Sequence, residues 1–195
     1  PEVYNLFGVP QVEKYHPEIC TGQHTFMAVQ KAADKGLNFG ARFAVMCHDL
    51  GKALTPDEAL PSHKNHEEHG LQLVADLCER LKVTKDTRML SLNFCGNHTR
   101  FFYVDEMKAG SVISLFEDIG VIRHPHNLDA LLDMCICDKS GRGGDYPMRD
   151  YKPFKQAFVD MFAAIQELDT SIIAEKYIGD GVKIKEMLHM ERAKL

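Results

Sequence analysis

The sequence predicts an all-α bundle of roughly eight or nine helices. Apolar residues recur at intervals of three and four through almost the whole chain, and no segment sustains the alternation of a half-buried strand. Breakers rich in Gly, Pro and Asn cut the apolar stretches into helix-length pieces, and no internal repeat is present.

The elements follow in order. Residues 21–35 place Phe26, Met27, Val29 and Ala33 at helical spacing, with Thr21 as the expected N-cap and Gly36 as the stop. Residues 39–50 are short and strongly apolar, carry His48 and Asp49 near their end, and read as a helix buried on most sides. A polar loop, 55–65, leads to residues 66–81, where Leu71, Val74, Ala75, Leu77, Cys78 and Leu81 share a face; residues 86–98 repeat the pattern after a cap at Thr84. Residues 111–119, 127–139 and 155–168 follow. A final pair, 171–178 and 182–193, is split by Gly179-Asp180-Gly181.

With 195 residues, 45% hydrophobic and 26% charged, the chain can bury one large core without disulfides. Its six cysteines are scattered among apolar neighbours, as free thiols in a reducing, cytoplasmic compartment are. Cys135 and Cys137 lie two apart on a helix and point to different sides, so they read as small buried hydrophobes. No apolar run reaches the ~20 residues of a membrane helix, and no signal segment opens the chain. It starts at Pro1 without Met, as a processed chain or a piece of a longer one does. A net charge of −5 argues against a surface devoted to coating a phosphate backbone. Ten histidines with no tryptophan draw attention to metal chemistry.

The segment Cys47-His48-Asp49-Leu50-Gly51-Lys52 puts an imidazole and a carboxylate side by side at the end of an apolar helix. Burying that pair needs partners, either a metal or a hydrogen-bond network. His24, His66, His98 and Asp138 also fall at or near helix ends. The series His24, His48-Asp49, His66, His98, Asp138 resembles the metal-binding pattern of the HD superfamily of metal-dependent phosphohydrolases.

Further segments sharpen the likeness: Leu6-Phe7-Gly8-Val9-Pro10-Gln11, His16-Pro17-Glu18-Ile19, Thr21-Gly22-Gln23-His24-Thr25, Gly141-Arg142 and Asp145-Tyr146-Pro147. With these the chain resembles, over essentially its whole length, the C-terminal HD domain of the bacterial multifunctional CCA family of tRNA nucleotidyltransferases. The resemblance implies one HD domain over 1–195, with a lead-in at 1–20, a metal-binding core at 21–145 and C-terminal helices at 146–195. It implies 2',3'-cyclic phosphodiesterase, 2'-nucleotidase and phosphatase activities on a nucleotide or tRNA 3' end, an upstream nucleotidyltransferase head, no membrane, and an open question of a homodimer. The paired-aspartate motif of nucleotide addition is absent from these 195 residues. Cys20 stands where that pattern has Asp, which implies an altered hydrogen bond to His24.

The ligand types suit one or two divalent ions, Ni, Mn, Co, Mg or Fe, with Zn also compatible. Asp49 is the expected bridge and catalytic carboxylate, because it has two oxygens to share where a neutral imidazole has one lone pair. Lys52 is expected to hold a nonbridging phosphate oxygen and assist catalysis, with Arg142 opposite and His63 as a further substrate contact. Phe101, Phe102 and Tyr103 could stack a base or plug the core. Two other readings stay open: a di-iron oxygenase using the same ligands, and a tRNA-supporting module without catalysis. Lys52 and Arg142 favour phosphate chemistry, which needs cations that oxygen activation does not.

Overall fold

The computed structural model describes residues 1–195 and is all-α. Its nine α-helices are α1 (Thr21–Asp34), α2 (Phe39–Cys47), α3 (His66–Arg80), α4 (Lys85–Asn97), α5 (Ala109–Asp118), α6 (Asn127–Ser140), α7 (Lys152–Gln166), α8 (Ser171–Lys176) and α9 (Gly181–Arg192). The only strand-like feature is an isolated bridge between Pro10 and Cys20. No helix is long and apolar enough to cross a membrane. The chain divides into two compact units, Pro1–His98 with Asp129–Asp150, and Thr99–Leu128 with Tyr151–Leu195.

In the first unit side-chain caps explain two of the helix starts. The Asn38 side chain accepts the Ala41 N–H at 3.0 Å to open α2, and Thr84 accepts the Thr87 N–H at 3.2 Å to open α4. Thr21 is not the cap of α1. Cys20 is held extended by its bridge to Pro10 and takes that position, and the Thr21 hydroxyl donates to the Val9 carbonyl at 3.0 Å. Residues 39–50 are not one helix either. The α-helix ends at Cys47, Asp49 adopts φ −106° and ψ 9°, and a 3-10 turn, Leu50–Leu54, continues the chain. That break turns two adjacent residues toward one point, which a continuous helix would send about 100° apart.

A buried cluster of Leu6, Phe43, Cys47, Leu50, Val74, Leu77, Cys78 and Cys95 ties the lead-in and the 50–54 turn to α2, α3 and α4. Each such large apolar side chain contributes about 1.5–3 kcal/mol by leaving water. Gly51 is required there: a Cβ on it would lie 1.9 Å from the His66 carbonyl oxygen and 2.6 Å from the Gly70 nitrogen. All six cysteines are free, and Cys135 and Cys137 are buried as the sequence predicts.

The second unit is organised around phenylalanine rings. Phe101 and Phe116 pack on Phe158 with centroids 5.3 and 6.1 Å apart, and Phe116 meets Phe162 at 5.4 Å. Phe101 is therefore a core plug, whereas Tyr103 is exposed. Glu117 of α5 pairs with His189 and Arg192 of α9 at 3.2 and 3.7 Å.

Candidate metal centre

All six sequence-predicted ligands converge in the first unit, and all are buried. His24 comes from the first turn of α1, His48 and Asp49 from the break after α2, and His66 from the first residue of α3. His98 caps the end of α4, and Asp138 lies near the end of α6. His66 is aimed by Asn65, which adopts the left-handed region at φ +58° and so turns the loop into the helix.

Asp49 divides the constellation between its two oxygens. Oδ2 lies 3.2 Å from His48 Nε2, 3.9 Å from His24 Nε2 and 2.8 Å from Lys52 Nζ. Oδ1 lies 3.3 Å from His66 Nε2 and 3.4 Å from His98 Nε2. Asp138 Oδ1 completes the first side, 3.0 Å from His24 Nε2 and 3.8 Å from His48 Nε2. Two ligand sets thus meet at one carboxylate: His24, His48 and Asp49, and Asp49, His66 and His98.

Three of the imidazoles are oriented by the turn that carries them. The Nδ1–H of His48 donates to the Val45 carbonyl at 2.6 Å, that of His66 to His63 at 2.8 Å and that of His98 to Cys95 at 3.1 Å. Each therefore presents Nε2 to the interior. His24 Nδ1 instead lies 2.9 Å from Glu18 Oε1, which is also 2.9 Å from His16 Nδ1.

The electrostatics follow from these contacts. Burial alone would raise the Asp49 carboxyl, but the charges of His48 and Lys52 hold it well below the usual carboxylate range. Burial is likewise outweighed at Asp138, whose carboxyl the Arg142 charge and the His24 hydrogen bond pull well down. Burial disfavours charge on His24 and His66, yet Asp138 and Glu18 raise the first and Asp49 raises the second. His98, with burial dominant, goes down.

The donor set fits a metal. Neither Asp49 oxygen nor His48 Nε2 completes a well-aligned hydrogen bond, although all three are fully buried. His66 and His98 point Nε2 at Nε2 across 3.3 Å while both commit Nδ1–H to carbonyls, so the pair must share a proton or a cation. That separation lies within the span of two bonds of about 2.1 Å to one ion.

The predicted substrate contacts sit around this centre. Lys52 Nζ, buried, reaches Asp49 and also donates to Gln11 Oε1 at 2.6 Å, leaving one of its three N–H groups over. Arg142 donates to the Tyr15 carbonyl at 3.3 Å, lies 3.6 Å from Asp138 Oδ1 and stacks over the Tyr146 ring. His63 is engaged at both nitrogens: Nε2–H donates to the Pro10 carbonyl at 2.9 Å, and Nδ1 accepts from the Thr55 hydroxyl at 2.8 Å. The structure thus gives His63 a loop-holding contact in place of a free substrate-facing nitrogen.

Cys20 meets His24 through its backbone, its carbonyl accepting the His24 N–H at 3.0 Å, and not through the sulfur. Its sulfur accepts the Gly8 N–H at 3.4 Å, and the carboxylate beside His24 is Glu18. Sequence reasoning missed Gln11 and Glu18 because both lie in the segment it treated as a lead-in. Their positions inside the quoted Val-Pro-Gln and His-Pro-Glu-Ile runs were the available signal.

The HD domain family model matches residues 21–131, more than half of the chain. The chain belongs to the HD domain family, a superfamily of metal-dependent phosphohydrolases, and is a hydrolase module. It is 40% identical to a protein named Multifunctional CCA protein from Acinetobacter baumannii over 96% of this chain and 45% of that one. A protein of the same name from Dechloromonas aromatica is 41% identical over 98% of this chain and 46% of its own length, and one from Shewanella denitrificans is 39% identical over 94% and 44%. The chain thus spans less than half the length of these relatives. No solved structure matches it. The family match ends before Asp138 and Arg142, so their place in the centre rests on the geometry above.

Proposed function

We propose that the chain is a nucleotide phosphohydrolase acting as a 2',3'-cyclic phosphodiesterase, 2'-nucleotidase and phosphatase, with one or two divalent metals on His24, His48, Asp49, His66, His98 and Asp138. The observation that carries this reading is the division of ligands between the two oxygens of one buried carboxylate, Asp49. That division would let one carboxylate serve both ligand sets. A metal held there would make water more acidic and offset charge on the phosphate oxygens.

The chain's own residues do the rest. Asp49 and Asp138 hold negative charge at neutral pH, and the four imidazoles present neutral Nε2 lone pairs once their inner protons are displaced. Lys52 offers its remaining N–H to a nonbridging oxygen, and Arg142 places a guanidinium beside Asp138. His63 fixes the loop between Thr55 and Pro10 that borders Lys52. The relatives' name supports a tRNA 3' end as one substrate and a nucleotidyltransferase head upstream in the longer protein. Six free thiols support a reducing, cytoplasmic setting.

The test is hydrolysis of 2',3'-cyclic AMP by metal-stripped protein after adding Ni, Mn, Co, Mg or Fe singly, beside Asp49→Ala. Turnover restored by a metal and lost in the variant is the expected result. Tight metal binding with no turnover under any ion would overturn the reading in favour of oxygen chemistry or a supporting module.

A further inference from the structure

Glu18 belongs to no predicted role, yet its side chain is 2% exposed and carries three polar contacts. Oε1 faces His16 Nδ1 and His24 Nδ1, each at 2.9 Å, and Oε2 accepts the Gly143 N–H at 2.9 Å. The segment that turns at Ile19, φ +59°, holds this side chain in place.

Comparison of the four imidazoles shows what it does. His48, His66 and His98 each stand where a helix ends or begins, and each finds a carbonyl three residues back for its Nδ1–H. His24 lies inside α1, where the backbone carbonyls are engaged along the helix, and no carbonyl takes its Nδ1. The acceptor it meets is Glu18 Oε1, at 2.9 Å but off the N–H line, while the well-aligned hydrogen bond of the ring is between Nε2 and Asp138 Oδ1 at 3.0 Å.

We infer that Glu18 is the positioning residue for His24: it fixes the Nδ1–H tautomer that turns Nε2 to the metal, and through Gly143 it ties that ligand to the segment bearing Arg142. The inference rests on the metal-centre reading and adds to it a residue 120 positions before Asp138 in the chain. Carboxylates that orient a ligating imidazole raise its basicity, and their loss typically costs about 10–100-fold in metal affinity.

Glu18→Gln is the informative change because it keeps the shape. With its amide oxygen on Gly143, the NH2 group faces His24 Nδ1 and forces the proton onto Nε2. With the amide reversed, NH2 opposes the Gly143 N–H, donor against donor. Either arrangement harms the ligand or the loop.

The experiment is a Co2+ titration of metal-stripped wild type and Glu18→Gln, read by visible absorption and by fluorescence competition, with the melting temperature of each metal-free protein. Expected is a 10–100-fold weaker Co2+ affinity with an altered absorption band. Equal affinity and an unchanged band would overturn the inference. A second measurement needs no variant: 15N-edited spectra of the Zn2+-loaded wild type should show His24 protonated at Nδ1 and metal-bound through Nε2. The reverse assignment would overturn the inference even if the variant fails to fold. A wild type that binds neither ion removes the metal-centre reading, and this one with it.

Discussion

Gly51→Ala tests how the backbone sets the metal centre. The added methyl carbon would lie 1.9 Å from the His66 carbonyl oxygen, 2.6 Å from the Gly70 nitrogen and 2.9 Å from the His66 carbonyl carbon. Ordinary contact begins at 3.4 Å, and all three obstacles are main chain, so α3 must retreat by about 1.5 Å at its first turn. His66 opens that turn. A misplacement of about 1 Å at a reacting centre costs on the order of 100-fold in rate, and overpacking of a tight interior costs about 1–3 kcal/mol or more. At about 2–4 °C per kcal/mol for a chain of this size, the melting temperature should fall by roughly 2–12 °C. The assay pairs thermal melts with kcat/KM on 2',3'-cyclic AMP. Gly181→Ala is the control, because its Cβ meets nothing within 4 Å. A Gly51→Ala protein with wild-type melting temperature and turnover within twofold would refute the reasoning.

Other outcomes follow from the same geometry. Lys52→Met should lower the stability of the metal-free protein by up to about 3–5 kcal/mol, since Asp49 loses its buried cation, and by much less with metal bound; equal losses in paired melts would argue against Lys52 as that counter-charge. Metal at about 100 times its dissociation constant should add about 2.7 kcal/mol to stability, measured by denaturant titration, and Asp49→Ala should abolish the gain. Iodoacetamide at pH 8 should label Cys20 first, because N–H groups from Gly8, Gln23 and Gly22 outweigh its partial burial and pull its thiol down. Burial pushes Cys95 and Cys137 up to about 12, so peptide mass spectrometry showing either of those alkylated first would contradict this. Ile19→Asn should stabilise by about 1 kcal/mol, because a β-branched residue is costly at φ +59°; a lower melting temperature would show that its packing matters more.

Much of this was legible in the sequence because helices advertise themselves by period. Ranges read at 66–81 and 86–98 became α3, His66–Arg80, and α4, Lys85–Asn97. What periodicity does not encode is where a helix stops within an apolar run: the break at Asp49 is set by contacts with α3 around Gly51, which are distant in sequence. The six ligands were legible because His48-Asp49 ends an apolar helix, the other four fall at or near helix ends, and the series resembles the HD pattern. Glu18 and Gln11 were not, since a polar side chain in a loop looks solvated until tertiary packing buries it. His63 had the right residue type at the right distance from His66, but only the structure shows both its nitrogens spent on Pro10 and Thr55.

The contact between His24 and Asp138 joins residues 114 apart, and the chain's departure into the second unit begins at Thr99, immediately after His98. It returns at Asp129, shortly before Asp138. The excursion is thus a closed loop whose two mouths are clamped by ligands of one centre. Closing such a loop depends only weakly on its contour length, about 0.6 kcal/mol for each doubling. The exposed turn at 123–126 can therefore lengthen with little thermodynamic penalty, while Phe101 and Phe116 hold the rest of the excursion in the second unit's core; a single deletion between Asp129 and Asp138 would rotate Asp138 about 100° round α6 and out of the centre.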